Sequence, residues 1–335
     1  MNEPKVSVIV LSYNSAATVE QALDSVLGQV CTFEYEVVVG DDASIDGTQE
    51  ILKRYLLRHP DKVRLMLADK NRGLQDNYFD CMEHCRADII ADCAADDYWH
   101  DCHRLQKMAD ALESRPDAAM VYTDWSCLDE NTGQIRRAYP RIRHNTGRGA
   151  LTLTILTSTG APAVHLSATL YRKSAIAAEY TKHRDDIYRC RDFACEDLPV
   201  LVALSRAGAN IYLATDSLVY RTGHSSVSSE ENPAKAARFS LAGIRLRIKL
   251  MKRHNMLHTV QAKTHLEASC RFALSMAILS DDKALVNEAI YMAKRIPASS
   301  TKLRLTRAAL GLPGGRSLLR FLKRFTLNLR RRKSL

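Results

Sequence analysis

No apolar stretch in this chain of 335 residues approaches the roughly 18 residues that a bilayer-spanning helix requires. The start, Met1-Asn2-Glu3-Pro4-Lys5, leads directly into a strand-like run and lacks the layout of a signal peptide. The nine cysteines include no Cys-x-x-Cys pair, and an odd, scattered set fits reduced thiols in the cytosol better than a disulfide framework. No Gly-x-Gly-x-x-Gly turn follows the first strand-like run, which counts against a dinucleotide-binding enzyme. A Gly-rich phosphate loop with basic residues is also missing there, which disfavours a nucleotidyltransferase. No internal repeat is visible. What remains is an ordinary globular composition, 46% apolar and 26% charged, long enough for one large domain and an appendage.

Acidic residues are absent from one more place. From Thr301 to Leu335 there are eleven Lys or Arg and no acid, against a formal charge of +10 for the whole chain. Subtraction, 10 − 11 = −1, leaves the rest nearly neutral, so the basicity belongs to a tail. In that tail Leu318, Leu322, Phe325 and Leu329 share one helical face, with Arg316, Arg320, Lys323 and Arg324 opposite. The pattern predicts an interfacial helix over 316–333 that docks on an anionic membrane surface. A solvated tail is the plainer alternative. Nucleic acid would suit the charge, but no recognised motif supports it and none is expected as a partner. The expected location is the cytoplasm, with peripheral attachment to the inner face of the plasma membrane.

Strand and helix signals alternate from residue 5 to about 125. Val6 to Leu11 is β-rich, and Val19, Leu23, Val26 and Leu27 follow at helical spacing. Strands over 35–39, 63–67 and 88–92 alternate with helices over about 47–58 and 74–85. Such alternation predicts an α/β fold with a mostly parallel sheet. Residues 130–150 read as a loop, 163–171 as a buried strand, 197–206 as a helix ending before Gly208, and 210–213 and 217–221 as strands. Beyond a polar, Ser-rich segment, nearly everything reads helical as far as Pro297. The expected boundaries are 1–228 for the α/β domain, 229–300 for a helical extension and 301–335 for the basic tail.

Three acidic pairs punctuate this order: Asp41-Asp42 and Asp96-Asp97 at strand ends, and Glu196-Asp197 at the start of an apolar helix. Neighbouring carboxylates repel, so a site that gathers them usually gives them a cation or a proton to hold. At the ends of parallel strands they would line the crevice where open α/β sheets bind ligands. A metal-assisted transferase site is the expectation. Cys81, His84 and Cys85 share a helical face, but without paired Cys-x-x-Cys motifs they read as core packing rather than a zinc site.

Val6 to Asn14 and then Gly40-Asp41-Asp42-Ala43-Ser44-Ile45-Asp46-Gly47-Thr48 resemble the start of a family 2 glycosyltransferase with the GT-A fold. Asn71-Arg72-Gly73 with Asn77, Ala95-Asp96-Asp97-Tyr98-Trp99, Glu196-Asp197 and Tyr220-Arg221-x-x-His224 continue the pattern in the family's order, over roughly residues 5–228. The resemblance implies a Rossmann-like mixed sheet flanked by helices and inverting sugar transfer from a nucleotide-sugar, with a UDP-sugar as the expected donor, to a hydroxyl of a glycan or lipid-linked acceptor. Cell-surface polysaccharide or glycolipid synthesis is the implied setting. Tyr13, Asn14, Asp41, Asp42, Arg72, Asn77 and Asp96 are its implied nucleotide contacts. Asp96, Asp97 and His224 are its implied ligands for Mn²⁺ or Mg²⁺. Asp197 is the implied catalytic base with Glu196 beside it, and Asp192 is a nearby rival.

Plainer readings accompany several of these. Tyr13 could simply pack beneath its loop, Asp46 reads as a helix cap, and a lone loop histidine such as His224 is commonly solvated. Ala94 departs from the family, standing where many relatives carry the first acid of their Asp-x-Asp motif. Fewer protein ligands should leave a bound metal more dependent on phosphate and water. That departure keeps open a catalytically silent, nucleotide-binding protein on the same fold. Acceptor choice is expected to lie in residues 130–165 and in the helices after 228.

Overall fold

Two β-branched runs buried on both faces, Val6–Ser12 (β1) and Tyr35–Asp41 (β2), form the centre of the sheet, as parallel strands covered by helices do. The computed structural model describes residues 3–138, 142–158, 162–193, 195–223 and 232–296, together with Ala308, Ser317 and Arg320. Val19–Leu27 (α1) links β1 to β2, and Thr48–Arg58 (α2) leads to Val63–Leu67 (β3). Leu74–His84 (α3), Ile89–Ala94 (β4), Tyr98–Trp99 (β5) and Arg104–Glu113 (α4) follow. Next come Ala118–Asp129 (β6), Gln134–Ala138 (β7), Thr152–Leu156 (α5), Thr169–Arg172 (β8) and Ser174–His183 (α6). Asp197–Ala207 (α7), Ala209–Thr222 (β9), Pro233–Arg253 (α8), Val260–Ser280 (α9) and Lys283–Arg295 (α10) complete the chain order.

The strands order as β3-β2-β1-β4-β8-β6-β9-β5, with β7 attached to β6. β1, β2, β3 and β4 run parallel, β8 is antiparallel to both β4 and β6, and β9 is parallel to β6. From β1 the chain builds outward through β2 and β3, then returns to place β4 on the other side of β1. The gap between β1 and β4 is therefore the switch point at which open α/β sheets take ligands. Register sharpens this: Ser12 stands opposite Asp41, and Leu11 opposite Ala94, so the three following loops leave at one edge. One face of the sheet buries Val8, Val10, Val37, Val39, Ala91 and Cys93 against Leu23 of α1 and Leu105, Met108 and Leu112 of α4. Tyr78 and Phe79 of α3 are buried over β1 and β2 on the other.

Four local expectations change. Only Thr169–Arg172 of the stretch 163–171 is strand; Leu166–Ala168 makes a 3₁₀ turn, closed by the Thr169 hydroxyl donating to the Leu166 carbonyl at 2.7 Å. The expected loop over 130–150 contains β7, hairpinned onto β6 through Gly133 at φ +69°. The two expected strands over 210–221 are one 14-residue strand, β9, which β6 follows with register shifts near Thr123 and Asp124. Helix α4 was not among the expected elements, although Leu105, Met108, Ala109 and Leu112 stand at helical spacing on its buried face.

Two compact units result: residues 1–191 with 195–224, and residues 192–194 with 225–335. In the second, each long helix starts on a side-chain cap: Asn232 for α8, Thr259 for α9 and Asp282 for α10. Leu241, Ile244, Leu266, Leu274, Ile278 and Met292 are buried among these helices. Among the described residues no helix is long and apolar enough to cross a membrane. The amphipathic face expected over 316–333 lies almost wholly outside the described residues; Arg320, which is described, pairs with Asp281.

Candidate active site

The loops that leave β1 and β2 are sewn together by side chains. Asn14, at φ +50°, donates its backbone N–H to Ser44 Oγ at 2.8 Å, and its Oδ1 accepts from the Ile45 N–H at 3.0 Å. Ser15 N–H donates to Thr48 Oγ1 at 2.9 Å, and Ala16 N–H to Asp46 Oδ2 at 3.0 Å. Asp41 is fully buried and accepts from the Ser44 N–H and hydroxyl and from Gln49 Nε2. Asp42 accepts from the N–H groups of Arg72 and Gly73 at 2.7 and 2.8 Å, which pins the entry to α3. Asp46 does not cap α2, whose N-cap is Gly47; it closes the turn onto Thr48 and reaches back to the first loop. Asn77 is buried and donates to the Gly40 carbonyl at 3.1 Å.

These side chains bond the loops that follow β1 and β2 to one another and to the start of α3. Tyr13 is different: its ring is half-exposed at the end of β1. Arg72 is also partly exposed, with its guanidinium 2.6 Å from Asp80.

The second acidic pair divides its labour. Asp97 is buried, and its Oδ1 accepts from the Arg221 N–H at 3.1 Å, tying this loop to the end of β9. Burial, with the charge of Asp96 next door, pushes its carboxyl well above the usual carboxylate range. Its Oδ2 has no partner among the described residues. Asp96 is partly exposed at the crevice. The third implied metal ligand, His224, lies outside the described residues.

As a donor set this fits a hard cation only in part. Asp96 offers carboxylate oxygen and the orphaned Asp97 oxygen lies behind it, but no group of three or more acidic, His or Cys side chains converges among the described residues. A Mg²⁺ or Mn²⁺ ion would take most of its ligands from phosphate and water, which Mg²⁺ in particular accepts. Cys81 and Cys85 are buried in the core, while His84 is exposed and its ring bonds the Asp80 carbonyl.

Opposite stands α7. Glu196 is its N-cap residue and Asp197 its first helical residue, with Asp197 Oδ1 accepting from the Leu198 N–H at 2.6 Å. A helix N-terminus favours negative charge there. Burial, then the neighbouring charge of Asp197, pushes the Glu196 carboxyl up to about 8. Asp92 on β4 is also pushed up to about 8 by burial, and both its oxygens lack partners among the described residues. The segment leading to Glu196 is braced from α3. Arg189 meets Asp80 at 2.7 Å and Glu83 at 3.1 Å, and Gln75 Nε2 donates to the Cys195 carbonyl at 3.4 Å. Asp192, the rival base, falls in the second compact unit.

One residue escaped sequence reasoning. His165 lies 4.9 Å from Tyr220 and 5.4 Å from Trp125, ring centre to ring centre. Burial pushes its imidazole down to about 4, against the opposing pull of Asp197 and then Asp96. The available signal was a lone polar ring inside the apolar run Ala163-Val164-His165-Leu166, which reads equally well as a core strand.

With this geometry in place, comparison with known proteins is informative. The family model described as Glycosyl transferase family 2 matches residues 7–178, just over half the chain. The putative glycosyltransferase EpsE of Bacillus subtilis is 34% identical over 139 residues, covering 42% of this chain and 49% of that protein. The chain spans about a third to a half of the length of the curated relatives that head the matches. Among solved structures, S. aureus TarS 1-349 in complex with UDP-GlcNAc aligns with a TM-score of 0.59 at 17% identity, covering 98% of this chain and 92% of that one. The mannosyltransferase PcManGT from Pyrobaculum calidifontis, in complex with GDP-Man and Mn²⁺, aligns with a TM-score of 0.51 at 19% identity, covering 97% and 86%. At such identities the likeness is one of fold, the mixed α/β GT-A sheet flanked by helices. The chain belongs to glycosyl transferase family 2.

Proposed function

We propose that this protein transfers a sugar from a nucleotide-sugar to an acceptor hydroxyl, with inversion at the anomeric carbon. The observation that carries this reading is the family's acidic pattern set on its fold, with Asp96 in the loop after β4 at the switch point and Asp197 at the N-terminus of α7.

In this reading Asp197 takes the proton of the acceptor hydroxyl as the new C–O bond forms, and the bond to the nucleotide diphosphate breaks on the opposite face. Burial and the charge of Asp197 raise the Glu196 carboxyl to about 8, which favours its protonated form beside the base. Tyr13 offers its exposed ring to the nucleobase, while Asn14, Asp41, Asp42 and Asn77 hold the loops that shape the nucleotide subsite. Arg72 borders the same loops. When bound, a Mg²⁺ or Mn²⁺ ion would supply neutralising charge to the departing diphosphate, with Asp96 as its carboxylate ligand. The UDP-GlcNAc and GDP-Man complexes of the two fold neighbours support a nucleotide-sugar donor, and a UDP-sugar is the first to test. The basic segment 316–333 supports an acceptor at an anionic membrane surface, such as a lipid-linked glycan.

A panel of UDP-, GDP- and dTDP-sugars with Mn²⁺, followed for nucleotide release, tests the reading. Asp197→Asn should abolish transfer while nucleotide binding persists; equal loss of both would make Asp197 a structural residue. Ala94 favours a second reading, a silent nucleotide-binding protein, and this gains if every donor stays intact while UDP binds.

A further inference from the structure

His165 has a relation to the site that the reaction scheme above does not use. Neither of its ring nitrogens has a hydrogen-bond partner among the described residues. Nδ1 is sealed from solvent, and the residue's remaining exposure leaves Nε2 as the reachable nitrogen. The ring is held in place from the side: Trp125 and Tyr220 lie against it, and 6.0 Å from each other in an edge-to-face contact. Below it, the main chain is fixed by the Ala168 N–H donating to the His165 carbonyl at 3.0 Å. A ring so constrained, with an unpaired and reachable nitrogen, is preorganised for a ligand.

Tyr220, packed against the ring, precedes Arg221, whose N–H donates to Asp97, so the imidazole lies beside the Asp96-Asp97 loop. In a single displacement the leaving diphosphate, the sugar being transferred and the incoming hydroxyl lie nearly in line. Asp96 belongs to the first end of that line and Asp197 to the last. In that reaction a ring packed beside the Asp96-Asp97 loop borders the diphosphate end of the donor and the sugar attached to it. A neutral imidazole offers one N–H and one lone pair, which suits a hydroxyl that can accept and donate. It does not suit a phosphate, which calls for cationic donors. A metal is the less fitting guest, because His165, Asp96 and Asp197 do not converge as a metal-holding group.

We propose that His165 Nε2 hydrogen-bonds a hydroxyl of the sugar being transferred, with the Tyr220 and Trp125 rings setting the imidazole's angle. This rests on the glycosyltransferase reading above and names a sugar contact within it.

The test compares affinities of the full-length protein for UDP-N-acetylglucosamine, UDP-glucose and UDP by calorimetry, with and without Mn²⁺. His165→Leu removes both ring nitrogens at similar bulk, and His165→Gln returns a polar atom near the place of Nε2. His165→Leu should weaken binding of the preferred nucleotide-sugar about tenfold, the scale of one lost hydrogen bond. UDP affinity should stay within about twofold of the parent protein, and His165→Gln should recover much of the loss. Equal weakening of UDP and UDP-sugar would overturn the proposal and make the residue structural. A loss that appears only with Mn²⁺ would overturn it in favour of a metal ligand. Unchanged affinities throughout would also overturn it. If the parent protein binds no nucleotide-sugar at all, the glycosyltransferase reading itself fails and the proposal falls with it.

Discussion

Asp92 carries the sharpest test of the electrostatics beneath this crevice. It sits on β4 opposite Ile9, is 5% exposed, and has no hydrogen-bond partner for either oxygen among the described residues. Burial raises its carboxyl from 3.8 to about 8; the Tyr78 hydroxyl and the charge of Arg104 oppose that rise without cancelling it. The unfolded chain releases this proton near pH 3.8, whereas the folded chain keeps it until about pH 8. Because the folded state binds more protons between those limits, its stability falls as pH rises through them. At pH 7 the gap of 3.2 pH units is worth about 4 kcal/mol, at 1.36 kcal/mol per unit.

Asp92→Asn replaces a titrating group with a neutral one of the same shape. Any fixed difference in packing or hydrogen bonding is the same at every pH and drops out. Urea unfolding of both proteins, followed by circular dichroism at several values from pH 4.5 to 7.5, should show the variant gaining on the parent steadily with pH. The parent's relative loss should amount to some kcal/mol over that range. A difference that stays flat with pH, or that turns in favour of the parent at high pH, would refute the assignment of a buried, protonated Asp92.

Three further outcomes can be checked. Gly40→Ala would drive a Cβ into Asn77 Oδ1 and Cys81 Sγ, so α3 must shift, and the urea midpoint should fall by the equivalent of about 2 kcal/mol; an unchanged midpoint would show that the β2–α3 contact is looser than described. Tyr13→Ala should weaken UDP binding about tenfold while Tyr13→Phe does not, as expected for a ring stacked on a base; equal affinities in calorimetry would remove Tyr13 from the nucleotide subsite. Deleting residues 315–335 should release the protein from vesicles rich in anionic lipid without changing UDP affinity, and co-sedimentation of the shortened chain with those vesicles would sink the membrane reading.

Much of the α/β framework was legible in the sequence because its signals are local. Valine-rich runs and helical spacing mark β1, α1, β2, α2, β3, α3 and β4, and each acidic pair stands at the end of a strand or the start of a helix. Where the pattern is weak or mixed, as in β7 and the 3₁₀ turn before β8, the elements depend on contacts with distant segments. Local periodicity cannot report that. The long strand β9 likewise exists because β6 runs beside it across three register shifts.

By itself, the order of motifs determined the family and the places where carboxylates gather. Tertiary structure decided what each carboxylate does. Asp42 and Asp97 became internal acceptors because Arg72, Gly73 and Arg221 bring backbone N–H groups to them from other parts of the chain. Asp41 went the same way through Ser44 and Gln49. Asp96 and Asp197 remain partly exposed, one in the loop after β4 and the other at the start of α7. Burial and long-range hydrogen bonding separate chemically identical side chains into scaffold and site, and neither is a property of the residues on their own.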